Sequence, residues 1–301
     1  MDDPIIHIID LIFLGRSGTI AAYLVPHSKG AILVETGPCS TINNLIAGIQ
    51  QHGYQVPDIT DVFLTHIHLD HAGAAGWWAK HGTRIHVHEV GAPHLINPEK
   101  LLASAGRLYG NMMDTLWGEF VPVPEANLSI MHDQEVAQVG DISVLALDVP
   151  GHASHHLAYL VGNTCFSGDI GGIRLNARQY LSLPMPPPDF HLEKWRASIH
   201  YIQKYRPSRI VPTHFGVYSD ASWHLQAVLD ELDEVEAWIE ERLPRNPSLE
   251  DLRQQFIIFE QARAQTYGVE KSIVEAQQIA NPSFMSADGI FRYWNKYRRP
   301  S

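Results

Sequence analysis

Cysteine is nearly absent from this chain. Cys39 and Cys165 are the two present, too few for the disulfide framework of a secreted scaffold. No apolar run reaches the length of a membrane span. The first residues, Met1-Asp2-Asp3-Pro4, carry acid where a secretory leader would carry a basic region, so a reduced, cytoplasmic setting is expected. Positive charge is also scarce. With 22 Lys and Arg against 33 Asp and Glu the net charge is −11, which disfavours attraction to nucleic acid or to an anionic membrane. Low-complexity tracts are lacking. A hydrophobic fraction of 45% over 301 residues instead describes a globular chain, long enough for one large domain with an appendage.

Histidine is abundant, at 18 residues, and position must decide which of them matter. Ile5–Leu14, Thr19–Val25 and Ala31–Glu35 read as strands of a meander, with a helix after the candidate caps Ser40 and Thr41. Asp61–Thr65 reads as a short buried strand, Ala72–His81 as a helix and Arg84–His88 as the next strand. Residues 93–124 break the alternation with a helical pattern of Leu101, Leu102, Leu108, Met112, Met113, Leu116 and Trp117. This insertion is either a core-packing helix or a lid over a substrate pocket, in which Met112, Met113 and Trp117 would touch the ligand.

Leu128–Met131, Ile142–Leu147, His156–Val161 and Thr164–Ser167 form a second strand set in chain order. Pro184 to Pro188 is a stiff connection, followed by a helix, a strand at Arg209–Pro212 and a long helix. The acidic run from Asp230 to Glu241 reads as that helix's solvated face. Two strand sets with helices around them predict an α/β fold, an αββα four-layer sandwich. Residues 1–243 would form its catalytic domain and 244–301 a helical C-terminal extension.

The chemistry concentrates at Leu64-Thr65-His66-Ile67-His68-Leu69-Asp70-His71-Ala72-Gly73. If the stretch stays extended, alternation sends His66, His68 and Asp70 to one point and His71 to an adjacent one, which suits two neighbouring metal ions. His152, Asp169 and His214 each follow an apolar strand at a turn, and strand termini on one sheet edge converge in space. Five imidazoles and two carboxylates without a thiolate suit zinc, iron or manganese.

These residues carry a resemblance. The His-x-His-x-Asp-His motif (His66, His68, Asp70, His71) and the later His152, Asp169 and His214 resemble the metallo-β-lactamase-fold hydrolase superfamily, over roughly residues 5 to 240. The resemblance implies that His66, His68 and His152 hold a first metal, and Asp70, His71 and His214 a second, with Asp169 bridging. Zinc would be the foremost metal. Glu35 stands where that family usually has Asp to support the metal loops, and His156 matches a position that braces one of them.

Within the superfamily, His68 argues against the diiron redox branch, and the complete second ligand set against the persulfide dioxygenases. Lactonases resemble the motif but carry a tyrosine shortly after the bridging Asp; here Tyr180 is the substitute to consider. Glyoxalase II shares the metal set and a helical tail, where Lys271, Arg292 and Lys296 are candidate cations for its substrate. The expected function is therefore a dinuclear hydrolase of a small-molecule carboxylic ester, thioester or lactone. A metal-bridging hydroxide would attack, with Asp169 bridging both metals, and Asp70 would pass on the proton. A phosphodiesterase or nuclease, and a non-catalytic metal-binding protein, are the competing readings. Partners are expected to be the substrate, without nucleic acid or membrane, and a homo-oligomer stays open.

Overall fold

The computed structural model describes residues 3–175 and 179–299; Met1 and Asp2 of the acidic start lie outside the described residues. Among the described residues, eleven strands form two sheets. The first sheet holds β1 (His7–Asp10), β2 (Ala21–His27), β3 (Gly30–Val34), β4 (Ile59–Phe63), β5 (Arg84–His88) and β6 (Leu128–Met131), in that order. β1 to β3 are antiparallel and β3 to β6 parallel. The second sheet holds β7 (Val136–Val139), β8 (Ile142–Asp148), β9 (Leu157–Val161), β10 (Thr164–Phe166) and β11 (Arg209–Val211), with β11 parallel to β10 and the rest antiparallel.

Period-two alternation sorts the side chains of each strand into two cores. In β2, Ala21, Tyr23 and Val25 point between the sheets while Ala22 and Leu24 point to helices. In β9, Leu157, Tyr159 and Val161 meet the first sheet, and Ala158 and Leu160 face outward. Helices α1 (Ile42–Gln51), α2 (Leu69–Ala72) and α3 (Ala75–Lys80) lie on the first sheet's side, with Leu45, Ile49 and Trp78 buried. Three more, α4 (Ala92–Ile96), α5 (Glu99–Tyr109) and α6 (Met113–Trp117), make up the 93–124 region.

On the second sheet's outer face, α7 (Leu192–Gln203) and α8 (Ala221–Arg242) contribute Trp195, Ile199, Val228 and Leu232. The tail helices are α9 (Leu249–Thr266), α10 (Lys271–Ala280) and α11 (Ser283–Tyr293), and Phe256 and Ile290 join the same core. Helix, sheet, sheet and helix layers make an αββα sandwich with a helical C-terminal extension. No described helix is long and apolar enough to cross a membrane.

Three expectations are corrected, and one strand is added. Leu128–Met131 belongs to the first sheet, not the second, because α4 to α6 form the long crossover that returns a chain parallel to β5. β7 went unread: its Val-Ala-Gln-Val is short and half exposed, so no alternation announces it. The hydroxyls of Ser40 and Thr41 donate to the carbonyls of Leu116 and Pro38, at 2.7 and 2.9 Å, instead of capping α1. Finally, the acidic run on α8 is more than a solvated face. Glu231 is buried against Arg263 at 2.8 Å, Glu234 reaches the same guanidinium at 2.5 Å, and Glu236 pairs with Arg196 and Arg298. Those ion pairs tie α8 to α7, to α9 and to the chain end.

Candidate metal centre

β4 ends at Phe63, and the chain reaches His68, the extended N-cap residue of α2, through a stretch that bends at Thr65. From Leu69 the chain is helical and turns about 100° per residue. Asp70 therefore leaves the side shared by His66 and His68 and stands next to His71. The simple alternation expected of the motif fails at this point.

Two groups of ligand atoms result. His66 Nε2, His68 Nδ1 and His152 Nε2 lie 2.9, 3.0 and 3.2 Å apart. Asp70 Oδ2 is 3.6 Å from His71 Nε2 and 3.5 Å from His214 Nε2. Asp169 stands between the groups. Its Oδ2 is 3.4 Å from His152 Nε2, and its Oδ1 lies 3.4 and 3.5 Å from the inner nitrogens of His71 and His214. Both groups can hold a metal ion.

The outer nitrogens are anchored, which fixes each ring. His152 Nδ1–H donates to Pro184 O at 2.8 Å and His214 Nδ1–H to Thr19 O at 2.8 Å. His66 Nδ1–H donates to Thr65 Oγ1 at 3.0 Å, since that hydroxyl spends its own proton on Glu35. His71 Nδ1–H donates to Glu35 Oε1 at 3.0 Å. The longer Glu35 side chain does reach the metal loops: fully buried, it also accepts from Thr65 N, Thr65 Oγ1 and Thr213 Oγ1. Glu35, His66 and His71 also form a compact group, but Glu35 contacts the outer nitrogen of His71, so it supports a ligand rather than adding one. His156 Nε2 accepts from Asp169 N at 3.1 Å and from Ile170 N at 3.4 Å, bracing the Asp169 turn. Gly168 opens that turn at φ 53°, and a Cβ there would lie 2.5 Å from Thr65 Oγ1.

The electrostatics fit bound cations. With the outer nitrogens of His66 and His152 protonated, their inner nitrogens present lone pairs to each other across 3.2 Å, an arrangement that a shared cation satisfies. Buried His71 Nε2 and Asp169 Oδ1 have no hydrogen-bond partner among the described residues. Burial and neighbouring imidazoles press His68 down to about 4. Burial also opposes charge on His71, but Asp169, Asp70 and Glu35 outweigh it and raise that imidazole well above its ordinary value. Burial would raise Asp70, yet His71 and His214 hold it down at about 2. One group thus offers neutral nitrogen donors, and the other sets the carboxylates of Asp70 and Asp169 against the imidazoles of His71 and His214.

His68, Asp70, His152 and Asp169 form the floor of a cavity of about 520 Å³. Trp117 lines it, with Leu108, Tyr109 and Leu116. Met112 is 45% exposed and Met113 packs into the first sheet's helix core, so neither lines the cavity. The 93–124 region therefore serves as core and wall at once. Tyr180 lies elsewhere, beside Arg263 and Tyr267 on a separate small cavity under α9 and α10. Of the tail cations, Lys271 pairs with Glu275, Arg292 donates to Pro188 O and Lys296 covers Tyr297; none lines the cavity. Residues the sequence did not single out include Phe284, Met285 and Ile279 on its wall. No local spacing flags them. Thr65 and Thr213 could have been noticed, since each immediately precedes a motif histidine.

A family model described as the metallo-beta-lactamase superfamily matches residues 16–214. The chain is 25% identical over 209 residues to a metallo-beta-lactamase fold-containing protein of Sulfurisphaera tokodaii, a match covering 65% of this chain and 73% of that one. A lactamase-like protein of Aspergillus niger is 30% identical over 151 residues, 49% of this chain and 37% of its own length. Among solved structures, a metallo-beta-lactamase family protein from Thermus thermophilus has a TM-score of 0.66 at 19% identity, over 97% of this chain and 93% of that chain. That likeness is one of fold. The family match includes every motif position from His66 to His214, and this chain belongs to the metallo-beta-lactamase superfamily.

Proposed function

We propose that the protein is a metal-dependent hydrolase of a small-molecule carboxylic ester, thioester or lactone, in a glyoxalase II-like or lactonase-like branch. The reading rests on one observation: two three-residue ligand groups meet through Asp169 at the floor of a cavity with apolar walls. His66, His68 and His152 would hold one ion, and Asp70, His71 and His214 the other. Zinc suits this nitrogen-rich set best, and iron and manganese also accept it. When bound, such a pair supplies a water acidic enough to attack near neutral pH and stabilises the charge that develops on the carbonyl oxygen.

The chain's own residues do the rest. Pro184 O, Thr19 O and Glu35 hold three imidazoles with their inner lone pairs toward the ions. Asp169 offers one oxygen to each group. Asp70 is 17% exposed and lines the cavity, so its carboxylate can carry a proton to the leaving group. Residues 1–243 would be the catalytic unit and 244–301 its extension. A phosphodiesterase or nuclease calls for several cations along its substrate, whereas Lys100 is the one Lys or Arg among the described lining residues.

Metal analysis after loading with zinc, manganese or iron, followed by thioester, lactone and phosphodiester panels, tests the reading. Asp169→Asn serves as the blank. Two ions per chain and ester-type turnover lost in the variant are expected. A protein that takes up only traces of metal, holds metal without turnover, or prefers phosphodiesters overturns it.

A further inference from the structure

We propose that the substrate carries a bulky apolar acyl group, and that the cavity between the 93–124 helices, the proline connection and the start of α11 is its acyl pocket. This deepens the hydrolase reading and rests on it. The cavity's size, about 520 Å³, falls in the range that buries most of a drug-sized ligand. An acetyl group would leave most of it unfilled.

Three stretches remote in sequence build the wall. The insertion gives Leu101, Leu108 and Leu116, the connection gives Pro186 to Pro188, and the tail gives Ile279, Phe284 and Met285. Even the polar tip of Tyr109 is turned to a thioether, donating to Met285 Sδ at 3.3 Å. Leu108 and Val90 line the cavity yet remain 38% and 46% exposed, apolar surface of the kind a ligand covers. Charge on the wall is sparse. Asp189 is already engaged by Ser154 N and Oγ at 3.2 and 2.6 Å, and exposed Lys100 stands alone as a Lys or Arg among the described lining residues. Such a wall suits neither a nucleotide nor a substrate with several carboxylates. It suits a long aliphatic or an aromatic acyl chain whose ester group reaches the floor at Asp70 and Asp169.

The test uses uncharged S-acyl N-acetylcysteamine thioesters, from acetyl to decanoyl, on the metal-loaded protein. Each methylene that the wall covers is worth about fourfold in kcat/KM, the ~0.8 kcal/mol of a buried CH₂. A rising profile that levels off when the pocket is full is expected, and Leu108→Asp should cut the decanoyl-to-acetyl ratio at least about tenfold by the same reckoning. A binding measurement runs beside it: decanoate should titrate the metal-stripped protein saturably in a calorimeter and acetate should not, with Leu108→Asp weakening decanoate. A flat or falling chain-length profile, or decanoate binding no tighter than acetate, overturns the acyl pocket while leaving the hydrolase reading intact. If no thioester or ester is turned over, the hydrolase reading falls instead, and the decanoate titration alone decides the pocket.

Discussion

Replacing Glu35 with Gln should weaken the Asp70-His71-His214 group more than the other. Glu35 is fully buried and takes four donors, of which His71 Nδ1–H at 3.0 Å is the one that fixes a ligand directly. An amide retains one acceptor oxygen and turns an NH₂ toward Thr65 or His71, where the carboxylate met only donors. A hydrogen bond to a charged acceptor contributes about 1.5–3 kcal/mol and a neutral one about 1. The loss at His71 is then ~1–2 kcal/mol, or roughly five- to thirtyfold in affinity, overlapping the lower part of the roughly 10- to 100-fold range usual for residues that support a metal ligand. The link to the first group is longer: it runs through Thr65 Oγ1 to His66 Nδ1 at 3.0 Å. Zinc titration against a competing chelator, with elemental analysis of the bound metal, reads both sites. The variant should retain one ion at a free-zinc level where the wild type retains two. Equal weakening of both sites, or an unchanged stoichiometry, would refute the assignment of Glu35 to His71.

Two further predictions concern the frame around the cavity. In Gly289→Ala the new Cβ would sit 1.9 Å from Met185 O, so α11 must move off the proline connection at a cost of about 1–3 kcal/mol; an unchanged Tm in calorimetry would refute that close packing. Burial pushes the Glu260 carboxyl up to about 7 from 4.5, despite the opposing influence of Ser283, the charge of Arg263 and Gln278. Because the folded value is the higher one, the contribution of Glu260 to stability is complete below about pH 4.5 and is lost as pH rises through about 7. Glu260→Gln should therefore gain ~1–2 kcal/mol relative to wild type between about pH 5 and about pH 8, a figure already reduced for partial exposure. Urea melts at the two pH values check this, and a pH-independent difference between the two proteins would refute it.

The layers were legible wherever a strand buries both faces, because Tyr23, Leu24 and Val25 or Leu157, Ala158 and Tyr159 declare themselves by apolar density. Pairing was less so. Leu128–Met131 reads the same in either sheet, and only the crossover through α4 to α6 decides that it joins β5. The candidate metal ligands stand out for a chemical reason: a ligand must present a lone pair from a fixed position, so few residue types serve and their spacing is constrained. The cavity wall carries no such constraint. Leu, Phe, Met and Pro are interchangeable as bulk, and Phe284 and Ile279 come from helices whose own sequences say only that they are amphipathic. Tyr180 illustrates the limit, since the lactonase resemblance makes it the substitute for a tyrosine after the bridging Asp, whereas it packs against Tyr267 on another cavity. The same asymmetry predicts how the two layers of the site respond to change. Substitutions at Glu35 should register in metal content and those at Leu108 in which acyl chain is turned over. The two effects should add, because Glu35 sits beneath the metal loops and Leu108 on the cavity wall, with no shared partner among the described contacts.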